Sequence, residues 1–423
     1  MSERRNNRGN QSTSNDRRSR QRPGNTGRYG QNPYQQGGYG QGYYNQGPYQ
    51  QGPYQQGPYG QRQGYQGQPG GYYDDPNETR GRRKKRKSKR RVIFAIEIIV
   101  LLILAAGLFA AAKLGKIQRT EISKDDIVVN DSLSPQEQEV LDGYTNIALY
   151  GVDSREGNLE LDAHSDALMI ASINNKTKDI KLVSVYRDTY LDNTNGEYRK
   201  ATECYYFGGP KRSMAMLNVN LDLDIQDFVT VDFNVVAEVV DELGGIEIDV
   251  QEDEITHLNN YQVEGSEVTG KEIVPVTSTG VQTLNGLQTL SYCRIRYTAG
   301  SDYKRTERQR TVLEQILKKA KSTDLLTLNS IINKVSGSIL TSLTNTELLG
   351  LAKDIASYNL VDTTGFPFDV QTANISAGDC VIPVNLEQNV LQLHQWMFGS
   401  DGYTPSEKVK EISNKIINET GIQ

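Results

Sequence analysis

Between Arg294 and Arg310 the chain carries Arg294, Arg296, Lys304, Arg305, Arg308 and Arg310 against only Asp302 and Glu307. Arginines outnumber the single lysine five to one, and a planar guanidinium fork can grip two phosphate oxygens at once. Arg294 and Arg296 stand two apart, so extended chain would project both from one face. Arg305 and Arg308 stand three apart, so a helix would set both on one side near its N-terminus, whose positive end also attracts anions. The same run reads equally as a solvated helix face with ordinary i, i+4 pairing. Upstream, Asp153 closes one apolar run and Asp166 opens another. Carboxylates at such strand ends can hold Mg²⁺ against a phosphate, although an aspartate there also serves as a turn former. Other chemistries find little support. His164, His257 and His394 are isolated, Cys204, Cys293 and Cys380 are scattered, and no G-x-S-x-G, HExxH or P-loop is present.

The elements that must position these residues follow from periodicity. Asn146–Val152 reads as a buried strand that ends in the turn Asp153-Ser154-Arg155. Ala167–Ile173 and Asp179–Val185 read as strands joined by the hairpin signal at 174–178. Phe228–Phe233 is a further short strand. Val235–Leu243 has helical spacing, with Gly244-Gly245 as its stop before the strand Ile246–Val250. Helices are expected at Leu284–Tyr292, Tyr303–Lys321, Leu325–Leu340, Thr346–Tyr358 and Asn385–Phe398. Alternating strands and helices imply an α/β domain whose mixed sheet lies between helical layers.

The chain has 423 residues and a net charge of −5, which hides a strong asymmetry. Residues 1–91 hold 19 Lys/Arg and 5 Asp/Glu, but no Val, Ile, Leu, Phe, Ala or Trp. Such a Tyr-, Gly- and Gln-rich stretch cannot bury enough apolar surface to offset the entropy of ordering, so a disordered tail is expected. The remainder is net acidic, which argues against nucleic acid as a partner. A basic run, Arg82 to Arg91, abuts Val92–Ala112, which is apolar except for Glu97 and Gly107. Its length of about 31 Å matches a hydrocarbon core, and basic residues flank such spans on the cytoplasmic side. The reading is a single transmembrane helix over 92–112, tail inside and body outside. Residues 113–143 then form a stalk, 144–400 the main domain, and 401–423 a C-terminal segment.

An ordered series of motifs carries a family resemblance. It runs through Gly151-Val-Asp-Ser-Arg155, Ser165-Asp166, Ser184-Val-Tyr-Arg187-Asp188 and Val240-Asp-Glu-Leu-Gly-Gly245. It continues through Leu284-Asn-Gly286, Tyr292-Cys-Arg294-Ile-Arg296, Asp302-Tyr-Lys-Arg305 and Arg308-Gln309. In order and spacing the chain resembles the LytR–CpsA–Psr family of membrane-anchored cell-wall enzymes, from Asn146 to Lys321 and more weakly to Phe398. His164 stands where the family often has arginine, and Tyr186 where it often has proline.

The resemblance implies a three-layer α/β/α fold with an apolar pocket for a polyprenyl chain. It implies a phosphotransferase that moves a secondary wall polymer, of teichoic acid or capsule type, from a polyprenyl-pyrophosphate carrier to peptidoglycan. Asp153 and Asp166 would be the Mg²⁺ carboxylates. Arg187, Arg294, Arg296, Arg305 and Arg308 would hold the pyrophosphate, with Gln309 beside them, and Asp302 or Asp188 would take the hydroxyl proton. Two other readings use the same residues: a hydrolase cleaving the lipid pyrophosphate, and a non-catalytic envelope regulator that attenuates transcription.

Overall fold

The computed structural model describes residues 115–423 except 132, 153–157 and 162. The expected tail and the apolar segment 92–112 therefore lie outside the described residues, as do Asp153 and Arg155. Among the described residues no helix is long and apolar enough to cross a membrane.

Seven strands build the central sheet: β1 (Gln118–Arg119), β2 (Tyr144–Val152), β3 (Ser165–Asn174), β4 (Asp179–Val185), β7 (Asp227–Asp232), β10 (Ile339–Thr341) and β11 (Asn359–Phe366), in the order β1-β10-β7-β2-β3-β4-β11. The sheet is mixed. The β2–β3–β4 meander is antiparallel, whereas β7 runs parallel to β2 and β11 parallel to β4. Three two-stranded ribbons flank it: β5 (Tyr190–Asp192) with β6 (Tyr198–Lys200), β8 (Ile246–Val250) with β9 (Gly280–Leu284), and β12 (Val370–Ile375) with β13 (Gly378–Pro383). The helices are α1 (Pro135–Asp142), α2 (Ala201–Leu221), α3 (Phe233–Glu242), α4 (Glu252–Thr269), α5 (Gly286–Arg294), α6 (Ser301–Lys321), α7 (Leu325–Val335), α8 (Asn345–Lys353), α9 (Leu386–Phe398) and α10 (Glu407–Thr420).

The period-two alternation of β2 buries both sheet faces. Ala148, Tyr150 and Val152 enter the main core with Met214, Leu217 and Leu221 of α2, Val390 and Leu393 of α9, and Val409, Ile412 and Ile416 of α10. Ile147 and Leu149 point the other way, toward Ile173, Ile180, Leu351 and Tyr358. A separate cluster of Val240, Ile246, Ile248, Leu258, Leu284, Ile295 and Val312 knits α3, α4, α5 and α6 around the β8–β9 ribbon.

Several expectations need correction. Residues 113–143 are not merely a stalk: Gln118–Arg119 completes the sheet edge beside β10, and α1 packs on β2. The segment 401–423 is not separate either, because α10 buries its apolar stripe in the main core. The helix expected over Leu325–Leu340 stops at Val335. Ser336-Gly337-Ser338 turns the chain, and Ile339–Thr341 joins the sheet. The helix expected over Thr346–Tyr358 ends at Lys353. Helices α2, α4 and α10 were not foreseen.

Candidate functional site

Topology gathers the chemistry at one edge of the sheet. β2, β4 and β7 run the same way, so their carboxyl ends share that edge with the start of β3. Ligands of open α/β sheets bind outside such ends. Arg187 and Asp188 follow β4 there, Asp232 ends β7, and the undescribed Asp153 follows β2. Asp166 is set by a bulge: Gly151 pairs with Ala167 and Val152 with Ser165, which leaves Asp166 as the extra residue on β3. A bulge re-aims the side chain that it carries.

Three arginines from three elements meet Asp166. Arg187 forms an ion pair with Asp166 Oδ1, and Arg296 Nη2 lies 3.5 Å from Oδ2. Arg305 Nη2 donates to the Asp166 carbonyl at 3.1 Å and pairs with Asp302 Oδ1 at 3.0 Å. Arg305 is brought there by the first turns of α6, and its side chain is only 2% exposed. Its Nε, Asp302 Oδ2 and Gln309 Oε1 are buried atoms with no hydrogen-bond partner among the described residues. Buried groups of this kind call for a partner.

Beside these residues opens a crevice of about 560 Å³. Asp166, Arg294, Arg296, Arg305 and Gln309 line one side; Tyr261, Glu264 and Val268 of α4 line the other, and Phe233 and Leu290 add apolar surface. That volume suits a small ligand group with a few convergent polar contacts. Arg294 leans on the Tyr261 ring, 5.3 Å from its centroid, and reaches Glu264 at 3.2 Å. The extended geometry expected around Arg294 and Arg296 is not found. Arg294 ends α5, Ile295 is its buried cap, and Arg296 follows in irregular chain, yet both arginines still reach the crevice.

Arg308 behaves differently from its neighbours. Its Nε pairs with Glu254 at 2.7 Å, Nη1 donates to the Ile295 carbonyl and Nη2 to Thr298 Oγ1. Both ionic side chains are about 95% buried, 5% and 6% exposed, and every nitrogen of the fork is committed. Arg308 thus ties α6 to α4 and does not line the crevice.

The acid–base candidates are close to the arginines. Asp188 Oδ1 lies 3.2 Å from Lys200 Nζ and 3.7 Å from Arg187 Nε. Burial pushes the Asp302 carboxyl up, and the Asp188 charge pushes the same way; Arg296, Arg187 and Lys200 oppose them. A raised carboxyl pKa suits a group that must take up a proton. His164 stacks on Tyr206, its centroid 4.6 Å away. Burial first, and then the Arg187 charge, lower its pKa, so the ring is neutral near pH 7.

No set of three or more His, Cys, Asp or Glu side chains forms a metal cage among the described residues. The donor chemistry still fits a hard cation such as Mg²⁺, which ordinarily takes one or two carboxylates and completes its shell with phosphate oxygens. Asp166 is partly exposed at the sheet edge. Sequence reasoning missed Glu254, Tyr261 and Glu264, since nothing in the mixed polar run of α4 marks one acidic face as opposing the arginines.

Comparison with known proteins agrees with this architecture. The LytR_cpsA_psr family model matches residues 109–391. The chain is 29% identical over 230 residues to the polyisoprenyl-teichoic acid–peptidoglycan teichoic acid transferase TagT of Bacillus subtilis, covering 53% of this chain and 69% of that protein. It is 31% identical over 222 residues to the transferase TagU of the same name from Enterococcus faecalis, covering 50% of this chain and 66% of that protein. Among solved structures, a Streptococcus agalactiae protein superposes with a TM-score of 0.50 at 22% identity, over 69% of this chain and 92% of that one. The family match spans well over half of the chain: this protein belongs to the LytR–CpsA–Psr family.

Proposed function

We propose that the protein is a membrane-anchored phosphotransferase that moves a secondary cell-wall glycopolymer from a polyprenyl-pyrophosphate carrier to a peptidoglycan hydroxyl. The observation that carries this reading is the convergence of Arg187, Arg296 and Arg305 on Asp166 beside the crevice. Two relatives whose names describe teichoic acid transfer to peptidoglycan support the same class of reaction. The apolar stretch 92–112 behind its basic flank supports an anchor with the C-terminal body outside the cell.

The reaction needs charge stabilisation more than covalent chemistry. The acceptor hydroxyl oxygen forms a bond to the phosphorus that carries the glycan. The bridging bond to the lipid phosphate breaks, and polyprenyl phosphate leaves. Arg187, Arg294, Arg296 and Arg305 neutralise the charge that gathers on terminal and bridging oxygens, in a site that partly excludes water. Gln309 offers an amide for a phosphate oxygen. Asp302, with its unpaired Oδ2, takes the hydroxyl proton, and Asp188 holds Lys200 and Arg187 in place. Mg²⁺ on Asp166 and Asp153, when bound, supplies further charge neutralisation on the diphosphate.

Arg187, Arg294, Arg296 and Arg305 each already have a carboxylate partner, so substrate diphosphate competes with protein carboxylates for these cations. Binding is therefore an exchange of anions.

The test is full-length protein in detergent with a polyprenyl-pyrophosphate glycan, Mg²⁺ and peptidoglycan fragments. Polymer joined to peptidoglycan through a phosphodiester supports the proposal. Free phosphoglycan alone identifies a hydrolase, and no turnover with any teichoic or capsular donor identifies a regulator.

A further inference from the structure

Arg187 and Asp188 occupy the two central positions of a tight turn after β4. The Tyr186 carbonyl closes that turn, accepting from the Thr189 N–H at 2.9 Å and from Thr189 Oγ1 at 2.7 Å. Backbone alone pins the far side of it. The Thr202 N–H donates to the Arg187 carbonyl, the Val381 N–H to that of Asp188 and the Ala201 N–H to that of Thr189, each at 2.9 Å. Those donors belong to α2 and β13. Helix α6, which carries Asp302 and Arg305, makes none of these bonds. The turn and α6 must nevertheless keep a fixed spacing, because Arg187 and Arg305 reach Asp166 from these two elements and their like charges repel.

The Tyr186 side chain supplies the link. Its own N–H donates to the Phe366 carbonyl at the end of β11 at 3.0 Å. Its ring meets Tyr303 of α6 edge to face, planes 89° apart and centroids 4.6 Å apart. Tyr303 adjoins Asp302 in the chain, as Tyr186 adjoins Arg187. Arg310 follows Tyr303 by about two helical turns on the same face of α6, and it too borders the phenol: burial pushes the Tyr186 hydroxyl up, and the Arg310 charge opposes it.

The other wall of this socket is Gly365 of β11, opposite Ser184 of β4 in the parallel ladder. A Cβ at Gly365 would stand 2.6 Å from Tyr186 Cζ, and the nearest atoms it would meet all belong to Tyr186. Gly365 is not among the glycines in the left-handed region, so its backbone suits alanine and the tyrosine ring is what excludes a side chain there. Tyr186 itself does not line the crevice.

We propose that Tyr186 is a positioning residue: its ring, seated between Gly365 and Tyr303, sets the distance from the Arg187–Asp188 turn to Asp302 and Arg305, and so holds the guanidinium groups in register for a diphosphate, a role that rests on the transferase reading.

The experiment titrates full-length protein in detergent with inorganic pyrophosphate and records the thermal midpoint of every variant. Tyr186→Leu empties the socket of its ring and weakens pyrophosphate binding about three- to tenfold, whereas Tyr186→Phe keeps the ring and stays within about twofold of wild type. Tyr303→Leu breaks the same contact from α6 and gives the same loss, which keeps the test decisive if Tyr186→Leu does not fold. Gly365→Ala pushes the ring out and also weakens binding. Combined with Tyr186→Leu it costs no more than the worse single variant, because both act through one contact. Folded Tyr186→Leu or Tyr303→Leu protein with a lowered thermal midpoint but unchanged pyrophosphate affinity overturns the positioning role. So do losses that add in the double variant, or a Tyr186→Phe protein as weak as Tyr186→Leu. Unchanged affinity in these variants sinks the positioning role alone; wild type that fails to bind pyrophosphate sinks the transferase reading and this role with it.

Discussion

Truncating Arg308 to alanine strips a buried carboxylate of its counter-ion and takes nothing from the substrate. Arg308 Nε and Glu254 Oε1 are 2.7 Å apart with both side chains nearly sealed from solvent. The same guanidinium also holds the Ile295 carbonyl and Thr298 Oγ1, so its loss orphans three acceptors at once. Removing one member of such a pair destabilises by roughly 3–5 kcal/mol. In a folded body of this size each kcal/mol lowers the melting midpoint by about 2–4 °C, giving a fall of roughly 6–20 °C. Calorimetry on the full-length protein in detergent measures that shift. Replacing both partners by apolar residues, Arg308→Met with Glu254→Leu, restores much of the loss, because no charge is then left buried alone. At a temperature where Arg308→Ala remains folded, its affinity for inorganic pyrophosphate stays close to wild type. A variant that melts like wild type but no longer binds pyrophosphate would refute the framework role and return Arg308 to the site.

Asp302 must be ionised to accept a proton, and burial has raised its pKa. The acid limb of kcat/KM therefore lies above the ordinary aspartate range near about 4, activity falls as pH drops through it, and Asp302→Asn removes the limb with a roughly 10²–10⁴-fold loss of turnover. Gly209→Ala forces a side chain into φ +65° against the Glu160 carbonyl; it lowers stability by roughly 1–3 kcal/mol, read as a shifted denaturation midpoint. His394 is buried against Tyr403 and bonded to the Leu221 carbonyl, and burial pushes its pKa down to about 4. Its folded pKa lies below the unfolded value, so the stability it contributes is full above about 6.5 and is lost as pH falls toward 4. Denaturant titrations across that window in wild type and His394→Gln measure the difference.

How far the sequence foretold the molecule depends on the signal each element carried. Ile246–Val250 and Asp179–Val185 occur where alternation and flanking turn residues put them, and the 174–178 hairpin joins β3 to β4. Helix α2 gave no such signal. It is buried nearly all round, so it lacks an amphipathic stripe, and Gly208, Gly209 and Pro210 interrupt it. Tertiary packing decided its structure. Arg294 and Arg296 were legible as a cationic pair from type and spacing, although the backbone that presents them is a helix end and irregular chain. Leu287, Leu290 and Cys293 recur at helical spacing and extend α5 to Arg294, beyond the apolar run that suggested a stop at Tyr292. The opposite outcome for Arg308 was not legible: its partner Glu254 lies 54 positions away, and only folding places the two together. Glu264 opposite Arg294 escaped notice for the same reason.

The central claim is that a diphosphate exchanges with protein carboxylates at the arginines beside Asp166. A structure of the full-length protein with polyprenyl pyrophosphate tests it most directly. Phosphate oxygens within hydrogen-bonding distance of Arg296 and Arg305, with the Arg294–Glu264 contact opened, is the predicted result. Lipid bound elsewhere, with those ion pairs intact, would contradict the account.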